Sequence, residues 1–393
     1  MMRGLTRERV PAVTLALLAG PLSFGVAGPA LVLDEVAGGL GVSVGTATWT
    51  VTAFGWGVAV GTPLMAGLLG LRGVRATLAF CGLLLLAGAS LVLTGPAPPY
   101  AILGCALQAL GAAGLSASAM NLADSARRMG LVTAALAVVG SLAPLLGSLV
   151  SDLLSWRAAL ALPALSLLAV PSVARKAPPA PVGRGSFDLA GAAILTAMVT
   201  ALVFVPHQPW PAGLASLAGL ALLVRHLRLR PHGFVPAVLL RTPEFLISAG
   251  LAFALAMVNF SLMYAIPREL SQHSGWTSGE IGVAVLWPLL LGGSLSWFIV
   301  TASARVRPGV TVAALTGLGL AGLLVSTLTV LPAALLAAQA AASVAASSGQ
   351  GVFAVRATAA VPDDHRPSAI GLFSLAYLLG SAFGPAIVSL LPS

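Results

Sequence analysis

Charge is scarce along this chain. Of its 393 residues only 8% are Asp, Glu, Lys or Arg, where a soluble domain carries about 25%. So few charges cannot clothe a surface in water, and most of that surface must face lipid. The 11 acidic residues all fall in loops or near the ends of apolar runs. None sits mid-run, where an ionised group costs at least ~2.5 kcal/mol. Cysteine is nearly absent. Cys81 and Cys105 lie inside apolar runs, which gives no disulfide framework and no thiolate metal spacing. The five histidines, His207, His226, His232, His273 and His365, are scattered through loops. They do not converge with acids as a membrane-embedded enzyme would require, and neither a metal nor a cofactor is expected. A G-x-x-x-x-G-K-[ST] loop is missing, so nucleotide-driven work within the chain is excluded. Short alternating strands are missing too, which excludes a β-barrel. Open sheet edges are not tolerated in lipid.

What remains is helix. Hydrophobic residues make up 58% and the mean hydropathy is +1.00. About 20 apolar residues cross the ~30 Å hydrocarbon layer. Such runs occur at roughly 10–33, 47–70, 74–94, 99–122, 129–151, 156–173, 188–206, 210–225, 244–266, 280–302, 309–330, 332–354 and 367–391. The fold class is therefore an all-α integral membrane protein with about 13 transmembrane helices. The first run is too long, and lacks a small-residue cleavage site, for a removable leader. Arginine placement gives an independent check, because basic residues gather in cytoplasmic loops. With the N-terminus cytoplasmic, only Arg157 and Arg268 of the 20 basic residues fall on the far side. The C-terminus is then exoplasmic. This also accounts for the net charge of +9 without a nucleic-acid partner. The Ala, Leu, Gly and Arg bias suggests a bacterial cell (inner) membrane.

The runs repeat. GLLGLRGVRAT at 67–77 joins the second and third spans, and VTASARVRPGVT at 300–311 joins the tenth and eleventh, each with two arginines in a tight turn. The fifth and thirteenth spans both carry Gly-Ser followed by a proline, Pro144 or Pro385. Two pseudo-repeated bundles follow. Residues 1–173 form an N-terminal six-helix bundle. Residues 174–243 hold a Pro-rich cytoplasmic linker, two inserted helices and a basic loop. Residues 244–393 form a C-terminal bundle that stops short of its sixth helix.

These pieces resemble the major facilitator superfamily and, within it, the fourteen-helix drug:proton antiporter branch. LGVSVGTATWTVTAF at 40–54 resembles the entrance to that branch's second helix. Gly67, Gly70, Arg72 and Arg75 occupy the Gly-rich basic loop, which the resemblance casts as a conformational latch. CALQALGAAG at 105–114 resembles the fourth-helix motif through Gln108 and Gly111. SLAPLLGSLVSDLLSWRAAL at 141–160 resembles the fifth-helix antiporter motif, with Gly140, Pro144 and Gly147 on one side of a bent helix. RGSFDLAGAAIL, RTPEFLISAG and SAIGLFSLAYLLGSAFGPAI resemble later landmarks. Three charges usual in the branch are missing, where this chain has Gly25, Leu71 and Cys105. All three are tied to proton coupling or conformational locking. The acids left as coupling candidates are Asp34, Glu35 and Asp124, near helix ends.

A midplane cavity between bundles is the expected substrate site of such a protein. Asn259, Phe260, Met263 and Tyr264 of the ninth span, Trp287 of the tenth and Gln339 of the twelfth are candidates for its wall. An uncharged, aromatic and Met-containing wall favours a neutral or amphipathic solute. The leading reading is a monomeric secondary transporter that exports small amphipathic compounds by alternating access. Its partners are that solute, the lipid bilayer and, if an end-of-helix acid serves, protons. The alternative is a degenerate relative without transport activity, acting as an accessory or scaffold.

Overall fold

The computed structural model describes residues 10–177, 188–205, 208–230, 233–276 and 278–389. Among these residues every regular element is helical. The α-helices are α1 (Ala12–Ala19), α2 (Leu22–Ala27), α3 (Leu33–Leu40), α4 (Val44–Thr94), α5 (Pro98–Leu122), α6 (Ala126–Leu153), α7 (Trp156–Leu160), α8 (Val170–Lys176), α9 (Leu189–Phe204), α10 (Pro209–Leu229), α11 (Ala237–Arg241), α12 (Pro243–Ser274), α13 (Ser278–Ser303), α14 (Pro308–Leu328), α15 (Pro332–Ala359) and α16 (Arg366–Ser389). Among the described residues eight helices are long and apolar enough to cross a membrane. One of these, α4, contains two spans. The expectation of about 13 spans fits this set together with its shorter apolar helices.

The 51-residue α4 is a hairpin folded at Gly73, whose φ of 74° and ψ of 177° are not helical. A left-handed φ of this kind suits glycine, which has no Cβ to clash. Contacts with α5 demonstrate the fold-back. Gly57 meets Ala106 and Ala109 while Gly88 meets Gly104 and Gln108. Gly114 meets both Met65 and Cys81. The two arms of α4 therefore run antiparallel along one helix. Their arginines fall at the bend, where Arg75 Nη2 donates to the Ala177 carbonyl over 3.1 Å.

Two expected spans are broken. The first is α1, α2 and a 3-10 turn at Gly28–Leu31; the sixth is α7, a 3-10 segment at Leu162–Leu168, and α8. Prolines explain both. Pro21 and Pro29 interrupt the first and Pro163 and Pro171 the second, each removing a backbone donor. The short helix α3 on the far side was not expected as a separate element. It ends at Gly41 with a left-handed φ of 66°, and its Gly39 lies against the Trp156 indole.

The two most enclosed long helices are α5 and α15. Both are runs of Ala, Ser and Gly. Small side chains let backbones approach from every side, so these helices sit within protein. The bundles meet chiefly along α4 with α16 and α6 with α13, with smaller contacts of α6 with α15 and α5 with α16. The repeat pairs α4's first arm with α13 and α6 with α16, so each of the two main contacts is the image of the other under a two-fold relation. The pair α9 and α10 packs beside this seam, where Leu195, Val199, Leu223 and Leu227 share a core with Ala59, Val60 and Leu375. Trp56 Nε1 donates to Thr200 Oγ1 over 3.0 Å to fix it there.

Arg157 lies at the end opposite the arginine-rich loops and is held by its own contacts. Arg157 Nη1 donates to the carbonyls of Val92 and Gly95 at 2.8 and 2.7 Å, and its guanidinium stacks 4.4 Å from the Trp156 ring centre. The charge therefore ties the end of α4 to α7.

Candidate functional site

Between the bundles lies a cavity of about 180 Å³. Eight helices contribute to it, α2, α4, α5 and α6 from one bundle and α12, α13, α15 and α16 from the other. No Asp, Glu, His, Lys or Arg is among the lining residues. Hydroxyls and amides replace charge. Ser343, Ser347 and Gln350 recur on α15 at steps of four and three, and Ser374, Tyr377 and Ser381 on α16 at steps of three and four. That spacing puts each trio on one helix face. Ser23, Thr62, Ser116, Ser141 and Asn259 add further polar groups, while Met120, Phe260, Met263 and Leu289 supply apolar wall.

Some of these polar groups are already engaged. Ser23 Oγ donates to the Leu136 carbonyl at 2.8 Å, Thr62 Oγ1 to Val58 at 2.7 Å and Ser141 Oγ to Ala137 at 2.9 Å. They present lone pairs to the cavity. Gln339 Nε2 donates to Asn259 Oδ1 over 3.0 Å and is itself fully buried. This bond fixes the Asn259 side chain from behind and aims its amide N–H groups into the cavity. Ser343, Ser347, Gln350 and Tyr377 line the void without a protein hydrogen-bond partner among the described residues.

The residues singled out from the sequence distribute as follows. Asn259, Phe260 and Met263 line the cavity, and Gln339 stands behind Asn259. Tyr264 and Trp287 are not among its lining residues and are 54% and 47% exposed. An aromatic ring suits lipid or interface contact as well as a solute, and residue type alone does not separate the two. Gly140 lines the cavity and faces Ser23, and Gly147 approaches the Gly28 backbone. The glycines of α6 around Pro144 thus pack the broken first span within the first bundle. Gln108 donates to the Leu160 carbonyl at 3.3 Å, and Gly111 meets the backbone of Cys81 and Leu85; both belong to the first bundle's interior. In the basic loop, Gly70 faces Pro367 of α16, and Arg72 and Arg75 are exposed. Asp34 and Glu35 are exposed in the first turn of α3, and Asp124 pairs with Arg128 at 2.9 Å. None of the three acids reaches the cavity. The α15 trio and Tyr377 were missed. The serines of an Ala/Ser-rich helix give no periodic sign of the face they occupy, although Gln350 beside them was a usable signal.

The seam is closed at the arginine-rich end. Gly371 lies against Thr62, Pro63 and Ala66; Gly130 lies against Val300 and Gly351 against Thr133; and Gly293 lies against Ala137 and Val138. Arg366 Nη2 donates to the Ala123 carbonyl over 2.8 Å, from the start of α16 to the end of α5. Arg127 stands 5.9 Å from the Trp297 ring centre. Toward the opposite end α6 and α13 present exposed Leu145, Leu149, Val283 and Trp287.

The comparisons with known proteins agree with this geometry. Residues 13–225 and 248–393 match the profile of the Major Facilitator Superfamily. The crystal structure of the human organic anion transporter MFSD10 (TETRAN) superposes with a TM-score of 0.62 at 19% identity, over 98% of this chain and 93% of that one. An auto-inhibited POT family peptide transporter superposes with a TM-score of 0.56 at 16% identity, over 95% and 87%. At such identity they share the fold. Two helical bundles meeting on a two-fold seam, a cavity at their junction and a match over most of the length place this chain in the Major Facilitator Superfamily.

Proposed function

We propose that the protein is a secondary transporter that exports a small, uncharged amphipathic compound by alternating access, as in the drug-efflux branch its motifs resemble. One observation carries the reading: the inter-bundle cavity is lined by hydroxyls, amides and Met or Phe side chains and by no ionisable Asp, Glu, His, Lys or Arg. A charged solute would enter at the full cost of its desolvation, with no counter-charge to offset it. A neutral solute with an apolar face loses little, and it gains bonds from Ser343, Ser347, Gln350 and Tyr377.

The same lining bears on coupling. A proton-driven cycle needs a titratable group whose exposure alternates. The cavity offers no carboxylate, and Asp124 is already paired. The cycle we propose is therefore driven by the solute's own gradient. A scaffold has no need of a polar cavity at a bundle seam, and we set that reading aside.

The test is dye loss from a drug-sensitive host. Cells preloaded with a neutral amphipathic dye and moved to dye-free medium should lose at least one such dye faster when they express the chain, and the difference should survive collapse of the proton gradient. Asn259→Leu should restore retention. Unchanged dye loss across a broad panel would contradict transport, and loss of efflux on gradient collapse would contradict the uncoupled cycle.

A further inference from the structure

We propose that the outward face of α10 binds an anionic phospholipid of the leaflet at the arginine-rich end. The proposal is independent of the transport reading. Helix α10 buries Ala212, Ser216, Gly219, Leu223 and Leu227 and packs chiefly on α9. Its opposite face forms a shallow groove lined by Leu217, Leu220, Ala221 and Val224 and closed by Arg225 and Arg228. The stripe runs for about 16 Å at 1.5 Å per residue, the length of much of an acyl chain. It ends in two guanidinium groups three residues apart.

The geometry sets these two arginines apart from their neighbours. His226 and Arg230 turn the other way, toward Asp188 at the start of α9. Asp188 Oδ2 accepts from the Phe234 N–H at 2.9 Å and lies 2.7 Å from His226 Nε2, and Asp188 Oδ1 accepts from the Gly191 N–H at 3.1 Å. Arg230 Nη1 stands 3.9 Å from the same carboxylate. That cluster pins the end of α10 against α9 and fixes its rotation. Arg225 and Arg228 are left exposed, with no acidic partner among the described residues. An apolar groove ending in a preset, unneutralised pair of guanidinium groups is complementary to an acyl chain under a phosphate. Arginine forks bind phosphate bidentately, and each basic group near an anionic surface contributes about 1 kcal/mol.

The experiment is native mass spectrometry of the full chain released from detergent, with phosphatidylglycerol or phosphatidylcholine added in turn. The wild type should retain phosphatidylglycerol preferentially. Arg225→Gln/Arg228→Gln should lower that retention by roughly thirtyfold, while Arg241→Gln leaves it unchanged and all three remain monodisperse. Equal retention of both lipids by the wild type, or equal loss in the Arg241 variant, would overturn the proposal. A wild-type dimer that the double variant dissolves would also overturn it, because the face would then hold a second copy.

Discussion

The two ends of the inter-bundle seam are built differently. At the arginine-rich end, Gly130, Gly293 and Gly371 bring helices of the two bundles into backbone contact, Gly351 lies against the Thr133 side chain, and Arg366 and Arg127 bridge the bundles. At the other end the facing helices carry Leu145, Leu149, Val283 and Trp287, all well exposed. Backbone contact through glycine is a fit with little room for adjustment, because an interior packs at crystal-like density. Large exposed side chains can meet or part at little cost. The difference teaches which end is shut here, and it locates the closing surface on four residues and one hydrogen bond.

The comparison can be broken most strongly at Gly371. A Cβ there would sit 2.5 Å from Ala66 Cβ and 3.3 Å from Pro63 Cα. Gly371→Leu should therefore prevent closure of the arginine-rich end and abolish efflux. Overpacking of this kind costs about 1–3 kcal/mol or more. Spin labels at Arg72 and Arg305, one on each bundle at that end, should move apart, and an unchanged distance distribution would remove Gly371 from the closing surface.

Arg366→Ala should act next in size. It leaves the α5 terminus without its bridging donor, and a charged hydrogen bond contributes about 1.5–3 kcal/mol. The closed fraction should fall by roughly tenfold, read from the same label pair, while the fold survives. Gln339→Leu should have a smaller effect on conformation and a visible one on solute choice, because Asn259 loses the bond that aims it. Export of the best dye should fall several-fold, and thermal stability in detergent should drop by about 1 kcal/mol.

The smallest expected effect lies outside the seam, in the pair α9 and α10. Burial pushes the Asp188 carboxyl up, but its hydrogen bonds with His226, Phe234 and Gly191 outweigh this and hold it at about 2, below the ordinary 3.8. A depressed folded value means that the bonds contribute fully above the unfolded pKa. The contribution fades only as pH falls from about 4 toward 2. Docking of α9 on α10 should thus be unaffected by Asp188 titration between pH 8 and 5. Asp188→Asn should loosen it at every pH in that window, as read by hydrogen exchange in residues 189–200.

Much of the architecture was legible because the bilayer imposes length and the loops carry arginine. The spans at 47–70 and 74–94 were separable by Arg72 and Arg75 alone, although the helix-like run through Leu71 and Arg72 hides the bend at Gly73. The breaks at Pro21 and Pro163 were not legible, since membrane helices often keep a proline without breaking. At the site, Asn259, Phe260 and Met263 could be picked out as a polar–aromatic group on one helix. Tyr264, the next residue in the chain after Met263, lies on a different face, and only tertiary packing decides that. The α15 trio was hidden for the opposite reason: so many small residues surround it that no face is marked by size or polarity.

The measurement closest to the central claim is side-specific labelling at the cavity. In a background with Cys81→Ser and Cys105→Ser, Ser347→Cys should react with a membrane-impermeant maleimide applied to intact cells from the side opposite the arginines, and bound solute should slow the reaction. Reaction only after the arginine-rich side is exposed, or none that solute affects, would contradict the account.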